Sequence, residues 1–397
     1  MSFASTLRRV STAASIRRPS KASTIDVDPR SRCERPQQQT VIPAVGLLML
    51  PAELLGQILS QATFDDLCSM RSVNRDARQL LSEGDVLRCW MNQHLRDAQM
   101  LKLYPPPARV SFSYVSSLLK RYCIAVEVAA LYTEYIERKI VRHSLMRLTP
   151  YLRDAKLHEE FRDVADTMRN NLVPLLVTVQ HYLECCAKVG LELVDLYNLH
   201  GSSLMAQYRV REREVLQAYE STHLLRVYKF WHFLAWLHHQ LYNPPSYAGS
   251  FERAVRGWTA SPTTLADLDV LTIFGNIKAL GQLMRNKSFK DRQKAVEDMM
   301  RQLDPMMCTS WQQHWASFGL EYGCTPTKLQ VVRALALEPS HGDVFMSSAR
   351  SVLGEQGMLA PDSMHGEVGT TEQCTDFLCD IAEYDVLHVL PSHRPGY

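Results

Sequence analysis

From Leu50 onward, apolar side chains recur at helical spacing almost without interruption, and strand-like alternation is scarce. That pattern dictates an all-α fold in which packed helices supply the core. Phe112 to Leu148 reads as one long helix, with Val115, Leu118, Leu119, Tyr122, Val126, Ala129 and Ala130 on one side. Leu157 to Val189 reads as a second, which Pro174 is expected to kink or divide. Ser203 to Tyr242 reads as a third. Its polar front "RVREREVLQAYE" gives way to the aromatic "VYKFWHFLAWLHHQLY", and Pro244-Pro245 stops it. Shorter helices are predicted over Phe251–Trp258, Pro262–Leu283, Phe289–Leu303, Ser310–Gly319, Lys328–Leu337 and Glu372–Tyr384. The late "DVLHVL" suits a strand or an extended tail. No self-similarity at periods of 20–50 residues is visible, which excludes leucine-rich and propeller architectures.

The chain is long enough, at 397 residues with 46% hydrophobic side chains, to bury a sizeable core. Its net charge of +2 is unevenly spread. Residues 1–40 hold eight basic and three acidic side chains, a balance of +5, so the remainder carries −3. A basic tail on a slightly acidic body does not describe a nucleic-acid binder. The same 40 residues are rich in Ser, Thr, Arg, Pro and Gln and poor in large apolars, and are expected to form no packed structure. Their first 25, Ser- and Arg-rich without an acid, also have the composition of a mitochondrial transit peptide. Within them, Arg-Arg-x-Ser occurs twice and makes Ser11 and Ser20 candidate phosphorylation sites. Two phosphates there would remove roughly 3–4 units of positive charge at neutral pH. Val41 to Leu59 is apolar enough to suggest a membrane span, but Pro43, Pro51 and Glu53 argue against one.

The chemistry of catalysis is missing from the pattern. There is no GxSxG, P-loop, GxGxxG or HExxH motif, and Asp65-Asp66 lacks the third acid of a metal–diphosphate site. Ten scattered cysteines without a CxxC pair read as reduced thiols. Cys185-Cys186 with His181 one turn earlier has no second half-site, so buried thiols are expected there and no metal. His232, His238 and His239 read as core or boundary residues, and Trp311 with Trp315 as a packing stripe. Asn286-Lys287-Ser288 is a glycosylation sequon in spelling alone. No cofactor is implied, and the expectation is a non-enzyme.

One stretch carries more information than the rest: "LPAELLGQILSQATFDDLCSMRSVNRDARQLL", Leu50 to Leu81. Pro51 and Glu53 suit the first turn of a helix, whose stripe is Leu54, Leu55, Ile58 and Leu59. Asp65 is a plausible cap for a second, with Leu67, Met70 and Val73 on its apolar side. Asn74 opens a third, with Ala77, Leu80 and Leu81 inward. Three helices in about thirty residues have too little interior to bury all of these side chains among themselves. The surplus must face either the rest of the chain or another protein.

These residues resemble an F-box. The family's "LPxELLxxILSxL", then "xxDLxxxRxVxR", then a short basic-apolar helix appear here in order as "LPAELLGQILSQA", "FDDLCSMRSVNR" and "DARQLL". The resemblance covers about a tenth of the chain. Ala77 stands where the family usually has an aromatic residue and Ala62 where it has Leu or Ile, while Trp90 falls close to the late Trp of the motif. The resemblance implies a three-helix F-box at 45–92, following the tail of 1–40, and an irregular helical substrate-recognition domain at 108–390. Helical regions of this kind resemble those of many fungal F-box proteins without leucine-rich or WD repeats. It further implies binding to the Skp-type adaptor of a cullin–RING ubiquitin ligase through Leu50, Pro51, Leu54, Leu55, Ile58, Leu59, Leu67, Met70, Val73 and Arg75. A cytoplasmic or nuclear location follows from that role, a mitochondrial one from the transit-peptide reading. For a client protein, the aromatic cluster from Tyr228 to Trp236 leads to a corner at the two prolines where Tyr242 and Tyr247 are the expected anchors.

Overall fold

The computed structural model describes residues 50–141 except 74, 83, 96 and 97, then 155–197, 202–242, 251, 255, 265–302 except 287, 345–359 and 371–383. The chain divides into two units, Met1–Gly46 and Leu47–Tyr397, and every described residue belongs to the second. Ser11, Ser20, Tyr247, Trp311, Trp315, the helices expected at 310–319 and 328–337, and the "DVLHVL" segment lie outside the described residues.

The second unit opens with short helices: α1 (Ala52–Leu59), α2 (Phe64–Val73), α3 (Arg75–Leu80), α4 (Gly84–His94) and α5 (Ala98–Leu103). Longer ones follow. Helix α6 (Phe112–Tyr135) runs on through a π-helical turn at Ile136–Val141. Next come α7 (Ala155–Tyr197), α8 (Ser202–Gln217), α9 (Ser221–Tyr242), α10 (Leu265–Arg285), α11 (Phe289–Gln302), α12 (Met346–Glu355) and α13 (Thr371–Ala382). No strand occurs among the described residues, and the fold is all-α. None of the described helices is long and apolar enough to cross a membrane.

Helix α7 is the spine. At 43 residues it extends over about 65 Å, and α5, α6, α8, α9, α10 and α13 all pack on it. Pro174 lies inside it and does not divide it. A mid-helix proline costs about 3 kcal/mol, but Leu172, Val173, Leu175, Leu176 and Val177 around it are all buried. Burying four or five such side chains outweighs that cost. One turn on, the Thr178 hydroxyl donates to the Pro174 carbonyl at 3.0 Å.

The expected single helix from Ser203 to Tyr242 is two helices. The chain tightens at Ala218 and Tyr219, whose N–H groups donate three residues back, to Val215 and Leu216. This turn drives Tyr219 inward, where its hydroxyl meets Nδ1 of His181 at 2.8 Å. Helix α10 is also interrupted, at Asn276, whose φ of 55° and ψ of −171° lie outside the helical region. The Asn276 side-chain oxygen accepts from the N–H of Ile277 at 2.6 Å, a local substitute for the lost helical bond.

Helix α12 packs on α8 and α9. It is entered through Phe345, which holds a φ of 73° while fully buried. Its ring stacks on Trp231 at 4.8 Å and meets Tyr182 edge-on at 5.0 Å. The backbone strain, about 1–3 kcal/mol, is sustained by that aromatic contact.

Candidate protein-docking site

Helix α1 follows Pro51, whose extended backbone and absent N–H suit the position before a first turn. Leu55 and Leu59 lie on one side of α1 and are 1% and 2% exposed. Leu54 and Ile58, on the other side and one turn apart, remain 47% and 45% exposed. The covering element is α4, which packs along the inner face of α1. It also closes the end of that helix. The indole N–H of Trp90 donates to the carbonyl of Ala62 at 2.9 Å, and Nε2–H of His94 donates to that of Ser60 at 2.5 Å. The two rings stack at 4.6 Å.

Helix α2 is capped by Thr63 rather than by Asp65. The Thr63 hydroxyl accepts from the N–H of Asp66 at 3.2 Å, and the Asp66 carboxylate accepts from the Thr63 N–H at 2.9 Å and from its hydroxyl at 2.7 Å. This reciprocal pair is a capping box. The hydrogen bonds from Thr63 hold the Asp66 carboxyl below its usual range. Leu67 is fully buried, Met70 is half-buried, and Val73 at the end of α2 is 73% exposed. Ala77 on α3 is buried, so the small residue sits in the interior, and Arg75 is exposed.

These helices are anchored to the body. Phe64 stacks on Phe112, the first residue of α6, at 5.0 Å, and the guanidinium of Arg71 lies 4.5 Å above the same ring. Arg88 donates to the Ala108 carbonyl at 2.7 Å. Tyr104, just past α5, is held on three sides. Its carbonyl accepts from the Tyr114 hydroxyl at 2.6 Å, its own hydroxyl donates to Glu184 at 3.3 Å, and Arg121 lies 4.7 Å above its ring. Nε of Arg121 donates to both Glu184 oxygens at 3.0 Å, and both side chains are buried. Gln180 donates to the same carboxylate, so the buried charge pair is well satisfied.

His181 and Cys185 lie beside this network, with Sγ 3.6 Å from Nε2. Burial, aided by Arg121, lowers the imidazole to about 4, while burial and Glu184 raise the thiol to about 11. Both partners are therefore neutral at physiological pH, the opposite of an activated thiolate–imidazolium pair. Among the described residues no His, Cys, Asp and Glu group is placed to hold a metal ion. The described cysteines carry no disulfide.

Of the ten residues the resemblance points to, the structure leaves Pro51, Leu54, Ile58, Val73 and Arg75 exposed, and Leu50 and Met70 partly so. Leu55, Leu59 and Leu67 do not face outward in this chain. They are buried, with Leu55 and Leu59 on the helix against which α4 packs. The surplus of aliphatics is thus divided, half spent on the chain's own core and half left on the surface. Sequence reasoning sets Trp90 close to the late Trp of the motif but misses the anchoring by Phe64, His94 and Phe112. The Thr63–Asp66 box carried a readable signal, the T-x-x-D spacing ahead of an apolar run. At the other proposed site Tyr242 ends α9, and its side chain lies outside the described part. Further along the sequence, Phe251 and Val255 are 81% and 69% exposed.

No curated protein and no solved structure matches the chain. Residues 47–88 match the family model described as F-box domain, a span that opens shortly before α1 and closes within α4, and the chain therefore carries an F-box domain at these residues.

Proposed function

We propose that this protein is a non-catalytic substrate receptor of a Skp–cullin–F-box ubiquitin ligase. The F-box domain binds the Skp-type adaptor, and the helical region beyond it recruits a client. F-box domains bind such adaptors in cullin–RING ligases. The observation that carries the reading here is the division of α1. Leu55 and Leu59 already secure the helix to the chain, yet Leu54 and Ile58 stay about half exposed one turn apart. Paired aliphatics on a rigid helix are the kind of anchor a protein partner covers. Pro51, Val73 and Arg75 are the further contacts. The sequence holds no RING-type Cys/His array, so ubiquitin transfer belongs to the partner. Such a receptor works in the cytoplasm or nucleus.

For the client, the corner after α9 is the favoured surface. Tyr242 and Tyr247 flank the two prolines in the sequence, and Phe251 and Val255, four residues apart and further along it, are exposed. Ser11 and Ser20 in the basic tail are the sites at which a kinase reading upstream arginines would act.

Co-purification with a Skp-type adaptor tests the role. The wild-type chain is expected to retain the adaptor. Leu54→Asp with Ile58→Asp is expected to lose it at unchanged helical content, since truncating a central interface anchor costs about 2 kcal/mol or more. Full adaptor recovery by the double variant would overturn the assignment of the docking face, and no recovery by the wild type would overturn the receptor role.

A further inference from the structure

Between α5 and α6 the chain reads Tyr104-Pro105-Pro106-Pro107-Ala108-Arg109, and all three prolines are exposed. One proline suffices to end α5, so the second and third add nothing to that termination. What they add is stiffness. Each ring fixes φ at about −65°, and each proline holds the residue before it in the extended region. The peptide bonds are trans. Three prolines in that state form one turn of polyproline II helix, about 9 Å long, with no hydrogen bonds of its own. The carbonyls of Pro105, Pro106 and Pro107 accept no hydrogen bond from the rest of the chain. An exposed ridge with unused acceptors suits a groove whose aromatic side chains pack on proline rings and whose indole or phenol groups donate to the carbonyls. We infer that this ridge is a docking surface for a second protein, one carrying a domain whose groove is lined by aromatic side chains and rimmed by acids.

Both ends of the ridge are clamped. Ahead of it, the Tyr104 carbonyl accepts from the Tyr114 hydroxyl at 2.6 Å and the Tyr104 hydroxyl donates to Glu184 at 3.3 Å. Behind it, the Ala108 carbonyl accepts from Arg88 at 2.7 Å, and Val110 is fully buried. These clamps come from α4, α6 and α7, so the ridge holds its extended form before a partner arrives. Binding then carries little ordering cost. A polyproline II helix has three residues per turn, and its side chains stand on three edges. The Tyr104 edge is turned to the body, where Arg121 lies 4.7 Å above the ring. Pro105 and Pro106 occupy the other two edges and are the rings presented. Charge selects the partner. Lys102 and Arg109 flank the ridge, both exposed, and neither is in an ion pair. They set a cation at each end of the ridge, which an acidic rim would meet. The ridge shares no residue with the adaptor-docking face, so the inference does not depend on the receptor reading.

The test titrates the full chain against a panel of recombinant SH3, WW and EVH1 domains, with binding measured by calorimetry. These classes share aromatic grooves that read polyproline II ligands. At least one domain is expected to bind the wild-type chain. P105A/P106A removes the two presented rings and should weaken that binding by about tenfold or more at unchanged helical content. K102E/R109E leaves the prolines in place and reverses the flanking charge, so it should weaken the same binding, and added salt should weaken the wild-type interaction in parallel. Absence of binding by every domain of the panel, or undiminished binding by either variant, would overturn the inference.

Discussion

Trp90 and Ala62 are joined across 28 residues by one hydrogen bond, the indole N–H donating to a main-chain carbonyl at 2.9 Å. The bond ties α4 to the turn between α1 and α2, and so sets the angle at which α1 presents Leu54 and Ile58. Trp90→Phe keeps most of the buried ring and removes the donor, leaving the Ala62 carbonyl unpaired. A loss of about 1–3 kcal/mol is expected in urea unfolding.

Helix α1 should respond to substitution in two opposite ways. Leu55→Ala or Leu59→Ala empties a buried site and is expected to cost about 2–5 kcal/mol of stability. Leu54→Ala is expected to change stability by about 0.5 kcal/mol or less, with its effect confined to adaptor affinity. Equal destabilisation by Leu54→Ala and Leu55→Ala would contradict the inside–outside division of the helix.

The buried pair of Arg121 and Glu184 should show strong coupling. Glu184→Leu alone strands the guanidinium away from water and is expected to cost about 3–5 kcal/mol. Adding Arg121→Met removes the stranded charge, so the double variant should be more stable than the single. A double-mutant cycle by chemical denaturation measures the coupling.

Stability should fall on mild acidification. Burial, with help from Arg121 and Arg350 respectively, lowers His181 and His232 from 6.5 to about 4. Between those values the unfolded chain binds protons that the folded chain does not. Stability is therefore full near neutrality and declines as pH falls from 6.5 towards 4, by at most about 1.4 kcal/mol per pH unit for each histidine. Unfolding midpoints at pH 7 and pH 5 measure the decline, and His232→Gln should make it shallower. Asp66, whose carboxyl Thr63 holds low, adds a separate loss only when the pH falls through the carboxylate range.

Much of this arrangement is legible in the amino-acid order because helical periodicity is local. The stripe of Leu54, Leu55, Ile58 and Leu59 identifies α1 as amphipathic without any knowledge of its neighbours. Which half of the stripe is covered depends on α4, which no local pattern places against it. The same limit explains the other departures. Pro174 stays inside α7 because the residues around it are buried by helices distant in sequence. The break before α9 exists because Tyr219 finds His181, 38 residues away. Phe345 takes a conformation that its residue type disfavours because Trp231 and Tyr182 receive its ring. In each case a long-range contact overrides a local preference.

The pinning of Tyr104 by Glu184 also orders events during synthesis. The two residues are 80 apart in the chain, so at about 5–20 residues per second the carboxylate emerges roughly 4–16 s after the tyrosine. Until then Tyr104 lacks its carboxylate partner, and Arg121, once made, has no counter-charge. The segment that follows α5 is thus translated well before the buried charge pair that pins it, and its final position is fixed only when that part of the spine has left the ribosome.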